Sequence, residues 1–235
     1  MKIKLSLTYF FLVVILIIVL TSCVGQTHST FIPIPDSSYY IQHRTFQVDF
    51  DKIIDSKDGA QIVSEWIFAF LKGGIEEVER LDRFYDKYVF IGINEGENFN
   101  TLNRWGSFFS ATHDFPMLAA ARIEKRMIQS TFMYPDYEYG AFFESLVKNA
   151  YNTVFPNTIK EETYWIKVKV DNESDELSDD VTSNVFFFFV LISMDKITMQ
   201  NIIRNMMSQT INSVTLTGEQ AISVNRLRQN FFTGF

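Results

Sequence analysis

The 235 residues include 21 Lys and Arg against 28 Asp and Glu, a formal charge of −7, and 47% are hydrophobic, among them 24 Phe. A chain this apolar can bury a sizeable core and is not intrinsically disordered, and its acidity argues against nucleic acid, whose binding needs cations to neutralise phosphates. A single cysteine, Cys23, excludes an intramolecular disulfide and a cysteine-built zinc site, and three scattered histidines (His28, His43, His113) leave little for metal ligation.

The chain opens with Lys2 and Lys4, runs through eleven consecutive apolar residues at 10–20, and reaches Thr21 and Ser22 before Cys23. Charged, apolar and small segments in that order make a secretory signal. The ending Leu20-Thr21-Ser22-Cys23 resembles the lipobox of bacterial lipoproteins. That resemblance implies diacylglycerol on the Cys23 thiol, cleavage between Ser22 and Cys23, and acylation of the new amine. A cysteine is needed because its thiolate is the nucleophile for thioether formation. Val24 follows, where many lipoproteins of two-membraned bacteria carry an Asp that retains them in the inner membrane. The resemblance therefore implies the outer membrane, if the organism has one. The competing reading, an uncleaved anchor over 5–24, is barely long enough to span and is diluted by Ser6, Thr8, Thr21 and Ser22. Losing 1–22 leaves 19 basic against 28 acidic groups, or −9. Such a chain is poorly suited to dock on anionic lipid through a basic surface. Several acyl chains would hold it instead, at about 0.8 kcal/mol per buried methylene.

Residues 23–44 carry Pro33, Pro35 and many Ser and Thr with no helical period, which predicts a lipidated Cys23 followed by a tether. As a flexible coil it would span roughly 25 Å r.m.s.. The folded domain is expected over 45–235. Its first helix is expected over 58–72, where Asp58 and Gln61 have capping-box spacing and Ile62, Val63, Trp66, Ile67, Phe70 and Leu71 recur at three and four. Gly73-Gly74 ends it. A second helix is expected over 75–85, with Glu76, Glu77, Glu79 and Asp82 as a solvated face. Paired acids can do glycosidase chemistry, but nothing in the spacing singles out a pair.

Tyr88 to Ile93 reads as a buried strand closed by a turn at Asn94-Glu95-Gly96; this Gly-x-x-x-Gly lacks the Lys-Ser/Thr ending of a phosphate loop. Helical periodicity then fills 101–132 with a break near Pro116. His113-Asp114 could be half of a catalytic triad, yet Asp114 is placed to cap the helix that Pro116 opens. Tyr134-Pro135-Asp136 reads as a turn before a helix over 137–152. Residues 164–170 (YWIKVKV) alternate as a half-buried strand, and 185–192 (VFFFFVLI) read as a central strand covered on both faces, or on one face and by a partner. The acidic loop between them, 171–180, lacks the glycine and ligand spacing of a calcium loop and reads as the solvated turn of a hairpin. Helices over 198–209 and 218–232 finish the chain, the second with Thr217 and Gln220 at capping-box spacing.

Five stretches in order, YVFIGINEG, MLAAARIEKRM, TYWIKVKV, VFFFFVLISMDK and TMQNIIRN, span 88–205. Their sequence of strand, Ala-rich helix, Tyr/Trp-bearing strand, apolar strand and helix resembles the LPP-twenty-type envelope lipoproteins. This resemblance covers about half the chain, and the helix at 137–152 departs from it. It implies a helix on a small antiparallel sheet and brings no catalytic residue to transfer.

The fold expected is α+β, an antiparallel sheet of three or four strands with helices on at least one face. The function expected is that of a membrane-anchored envelope lipoprotein with a non-enzymatic structural or protein-interaction role. Its partners would be the membrane, through lipid on Cys23, and another envelope protein. No catalytic residue, metal site or cofactor is assigned, and no HExxH, G-x-S-x-G, Walker or Rossmann pattern occurs. The alternative is a ligand-binding lipoprotein with an aromatic pocket drawing on Trp66, Trp105 or Trp165.

Overall fold

The computed structural model describes residues 48–60, 62–132, 134–170 and 183–235. Four antiparallel strands form one sheet in the order β1-β3-β4-β2: β1 (Ile53–Ser56), β2 (Lys87–Gly96), β3 (Ile159–Val170) and β4 (Ser183–Asp195). Eight α-helices among the described residues pack on both faces. They are α1 (Glu65–Gly73), α2 (Ile75–Val78), α3 (Phe99–Phe108), α4 (Phe115–Gln129), α5 (Pro135–Tyr139), α6 (Ala141–Tyr151), α7 (Lys196–Ser213) and α8 (Gly218–Asn230). The fold is α+β.

The two faces follow from side-chain alternation along β4. Phe188, Val190, Ile192 and Met194 join a core filled by α3 to α8, whereas Phe189 and Leu191 join a second core under α1 and α2. An unbroken apolar strand is therefore required here, because neither face meets water. β3 obeys the same rule: Tyr164, Ile166 and Val168 face the smaller core, and Trp165 packs against the larger. β3 and β4 pair as the expected hairpin, closing with Val170 opposite Ser183; its acidic loop lies outside the described residues. The backbones come close where side chains are absent. A Cβ on Gly106 of α3 would collide with the Phe188 ring, and one on Gly92 would stand 2.7 Å from Phe109.

Several local expectations are overturned. The first helix starts at Glu65, not 58: Asp58 lies in a turn followed by Gly59 at φ +108°, which a helix does not admit, and its carboxylate accepts from the Tyr164 hydroxyl at 2.8 Å. The stretch 75–85 makes one α turn and a short 3-10 turn, with Phe84 buried and Tyr85 80% exposed. Asn94 to Gly96 extend β2 instead of ending it, because Phe186 to Phe188 of β4 continue the ladder beside them. Asp114 sits at the start of α4 but accepts from Ser110 N at 2.6 Å, back in the preceding turn. The helix expected over 137–152 is two helices, broken at Gly140 with φ +55°, a value that favours glycine. The last helix keeps its reciprocal Thr217–Gln220 capping box.

Candidate functional site

β2 is an edge strand, and its Val89 N–H and C=O point outward, away from β4. Both are occupied by side chains. Glu79 Oε1 accepts from Val89 N at 2.7 Å, and Arg122 donates to Val89 O at 3.0 Å. The two side chains also pair as a fork, Nη1 to Oε1 at 2.7 Å and Nη2 to Oε2 at 3.2 Å, with only 11% and 13% of their side-chain surface exposed. Glu79 follows α2 on one face of the sheet, and Arg122 comes from α4 on the other. The pair thus satisfies the sheet edge at Val89 and ties the two helical layers together around it.

Why Arg122 can reach the edge is written in α4. Ala119, Ala120 and Ala121 are all buried, so this part of the helix lies close to the sheet. The guanidinium then lies 4.9 Å from the Tyr88 ring, 5.2 Å from Phe90 and 4.7 Å from Phe235. Such faces suit a delocalised cation.

Beside this pair opens a cleft of about 390 Å³. One wall comes from Ile75, Glu76, Glu79 and Arg80. The other comes from Arg122, Lys125, Arg126 and Gln129 of α4, and Lys196, Gly234 and Phe235 complete it. Arg126 is held by the carbonyls of Phe231 (2.7 Å) and Asn230 (2.9 Å), and Lys196 by the carbonyl of Tyr85 (2.6 Å). Arg80 pairs with Glu77. Lys125 is exposed, with no hydrogen-bonded or ionic partner among the described residues. These cations were not singled out in the sequence. The available signal was the i, i+3, i+4 spacing of Arg122, Lys125 and Arg126, which puts all three on one side of a helix.

A second polar cluster lies across β3. The Tyr164 hydroxyl accepts from Ser64 N at 3.2 Å while donating to Asp58, and Ser56 Oγ donates to Gly59 O at 2.8 Å. Burial pushes the Tyr164 phenol up, with Asp58 adding to the rise. These bonds pin the segment between β1 and α1; they bring no second reactive group to the phenol. A third cluster joins three strands. Lys87 of β2 donates to Glu161 of β3 at 2.8 Å, and Ser193 of β4 donates to the same oxygen. Burial would raise the Glu161 carboxyl, but the Lys87 and Ser193 hydrogen bonds outweigh it and hold the group below its ordinary value.

The three tryptophans do not converge. Trp66 is fully buried in the smaller core, its Nε1 donating to Glu162 at 3.0 Å. Trp105 and Trp165 pack on the opposite face, against Phe188 and Phe186 respectively. None lines the cleft. His113 is exposed, and Asp114, engaged with Ser110, does not serve it. Ser22, Cys23, His28, His43 and the acidic loop lie outside the described residues. Among the described residues, no group of three or more His, Cys, Asp or Glu is placed to hold a metal, and no helix is long and apolar enough to cross a membrane.

No family, curated protein or solved structure matches the chain.

Proposed function

We propose that the chain is a bacterial envelope lipoprotein, held to the membrane by lipid on Cys23, whose folded body has a non-enzymatic structural or protein-interaction role. The observation that carries this reading is the run from Lys2 to Cys23: a basic start, an apolar core, small residues, then the sole cysteine at the one position lipidation needs. Val24 after the cysteine favours the outer membrane in a two-membraned organism. The stretches resembling the LPP-twenty-type lipoproteins fold as β2, α4, β3, β4 and α7, with further helices between them, an order compatible with that resemblance. The partner is another envelope protein. In support of such a partner, Phe132, Tyr134 and Tyr137, three aromatic side chains within six residues, are 86%, 82% and 65% exposed. A second reading, a ligand-binding lipoprotein, is favoured by the cationic cleft and not by the tryptophans.

Metabolic labelling with a fatty acid tests the anchor. Label should enter the wild-type chain and be lost in Cys23→Ala; equal labelling of both would end the lipoprotein reading. Cross-linked pull-down from the envelope with the full chain tests the role. Recovery of one envelope protein, reduced by Tyr134→Ser, is expected. No such protein, together with a co-purified small molecule, would displace the first reading in favour of the second.

A further inference from the structure

The cleft beside β2 has the opposite sign to the molecule that contains it. The chain has seven more acidic than basic side chains, yet five cations and two carboxylates line this cleft. Two of the cations are neutralised, Arg122 by Glu79 and Arg80 by Glu77. Lys125, Arg126 and Lys196 remain against Glu76, an excess of two positive side-chain charges. No carboxylate among the described residues forms an ion pair with any of those three.

Their donors are also unspent. A guanidinium offers five N–H donors and an ammonium three. Arg126 commits one from Nε and one from Nη2 to carbonyls, and Lys196 commits one to Tyr85 O. Lys125 commits none among the described residues. The committed bonds hold Arg126 and Lys196 before any ligand arrives, which lowers the ordering cost at those two, while Lys125 is left to be ordered by the ligand. The remaining N–H groups suit an oxygen-rich anion, and guanidinium in particular matches phosphate geometry.

We propose that this cleft binds a phosphate monoester. A phosphomonoester carries about −1.5 to −2 at neutral pH and presents three acceptor oxygens, so it draws more from these cations than a single carboxylate does. The cleft's size falls in the range of small-molecule sites, about 300 to 1,000 Å³, so it admits the organic part of an ester as well as the phosphate. Ile75 and Phe235 supply apolar lining for that part. The same headgroup chemistry occurs in a soluble metabolite and in a phosphatidic acid, and the two are separable.

The test is calorimetric titration of the full-length chain, purified in a non-ionic detergent, with glycerol 3-phosphate and separately with dihexanoyl phosphatidic acid. Two charge-equivalent variants accompany it. Lys125→Glu lies in the cleft and breaks no bond among the described residues; Lys148→Glu lies on the exposed side of α6, outside it. Saturable binding that Lys125→Glu weakens by at least about tenfold, and Lys148→Glu leaves within about twofold, is expected. Binding of both probes identifies the phosphate alone as the determinant, and binding of the phosphatidic acid only identifies a lipid source. No saturable binding of either probe would overturn the proposal. So would equal weakening by the two variants, which would mark a response to overall charge.

Discussion

At the scale of single residues, the informative pair is Glu79 and Arg122. An edge strand usually leaves backbone donors and acceptors open to another chain, and charged side chains are one way to close it. Here the closure is specific: the carboxylate takes the Val89 N–H and the guanidinium takes the Val89 carbonyl, while the two groups bind each other. Removing one member leaves the other charged, largely buried and unpaired. Glu79→Gln and Arg122→Met are each expected to cost about 3 kcal/mol, somewhat less than a fully dry pair because about a tenth of each side chain is exposed. The double variant is expected to cost clearly less than the sum of the singles, since the second substitution removes the stranded charge. Urea unfolding of the four proteins measures this. Additive costs would show that the pair acts as two separate contacts.

At the scale of elements, local signals were legible where nothing distant competed with them. The Thr217–Gln220 box spans four residues of chain, and it forms as read. β4 was legible because burial on both faces demands an unbroken apolar run. Two of the failures share one cause, a partner far along the chain. Asp58 has the spacing of a cap but is claimed by Tyr164, 106 residues away. Asn94 to Gly96 have turn composition but are held extended by Phe186 to Phe188. Of the cleft only the helical spacing of Arg122, Lys125 and Arg126 was legible, because α4, the segment at 75–80 and the start of α7 meet only in the folded chain. Glu161 illustrates the same dependence, since its donors come from two other strands. Its carboxyl is held below the ordinary 4.5. A depressed acid stabilises the fold fully above its unfolded value, and that contribution is lost as pH falls through the folded one. The stability gap between wild type and Glu161→Gln is therefore expected to be widest near neutral pH and to shrink as pH falls from the ordinary 4.5 through the depressed folded value. A gap that stays constant over that interval would contradict the assignment.

At the scale of the whole molecule, the sheet carries a thick helical layer on one face and a thin one on the other, joined at the β2 edge by one ion pair. In the account proposed above, this acidic body stands off a bilayer on a tether and is retained by lipid and not by its own charge. The cleft and the exposed aromatics near α5 would then present to the envelope surfaces that the bulk composition does not reveal. All of this depends on the anchor. The most direct measurement is mass spectrometry of the N-terminal peptide from protein extracted from bacterial membranes. The account predicts a peptide that begins at Cys23 and carries a diacylglycerol thioether. A peptide that runs unbroken through Leu20-Thr21-Ser22-Cys23 with a free thiol would contradict it.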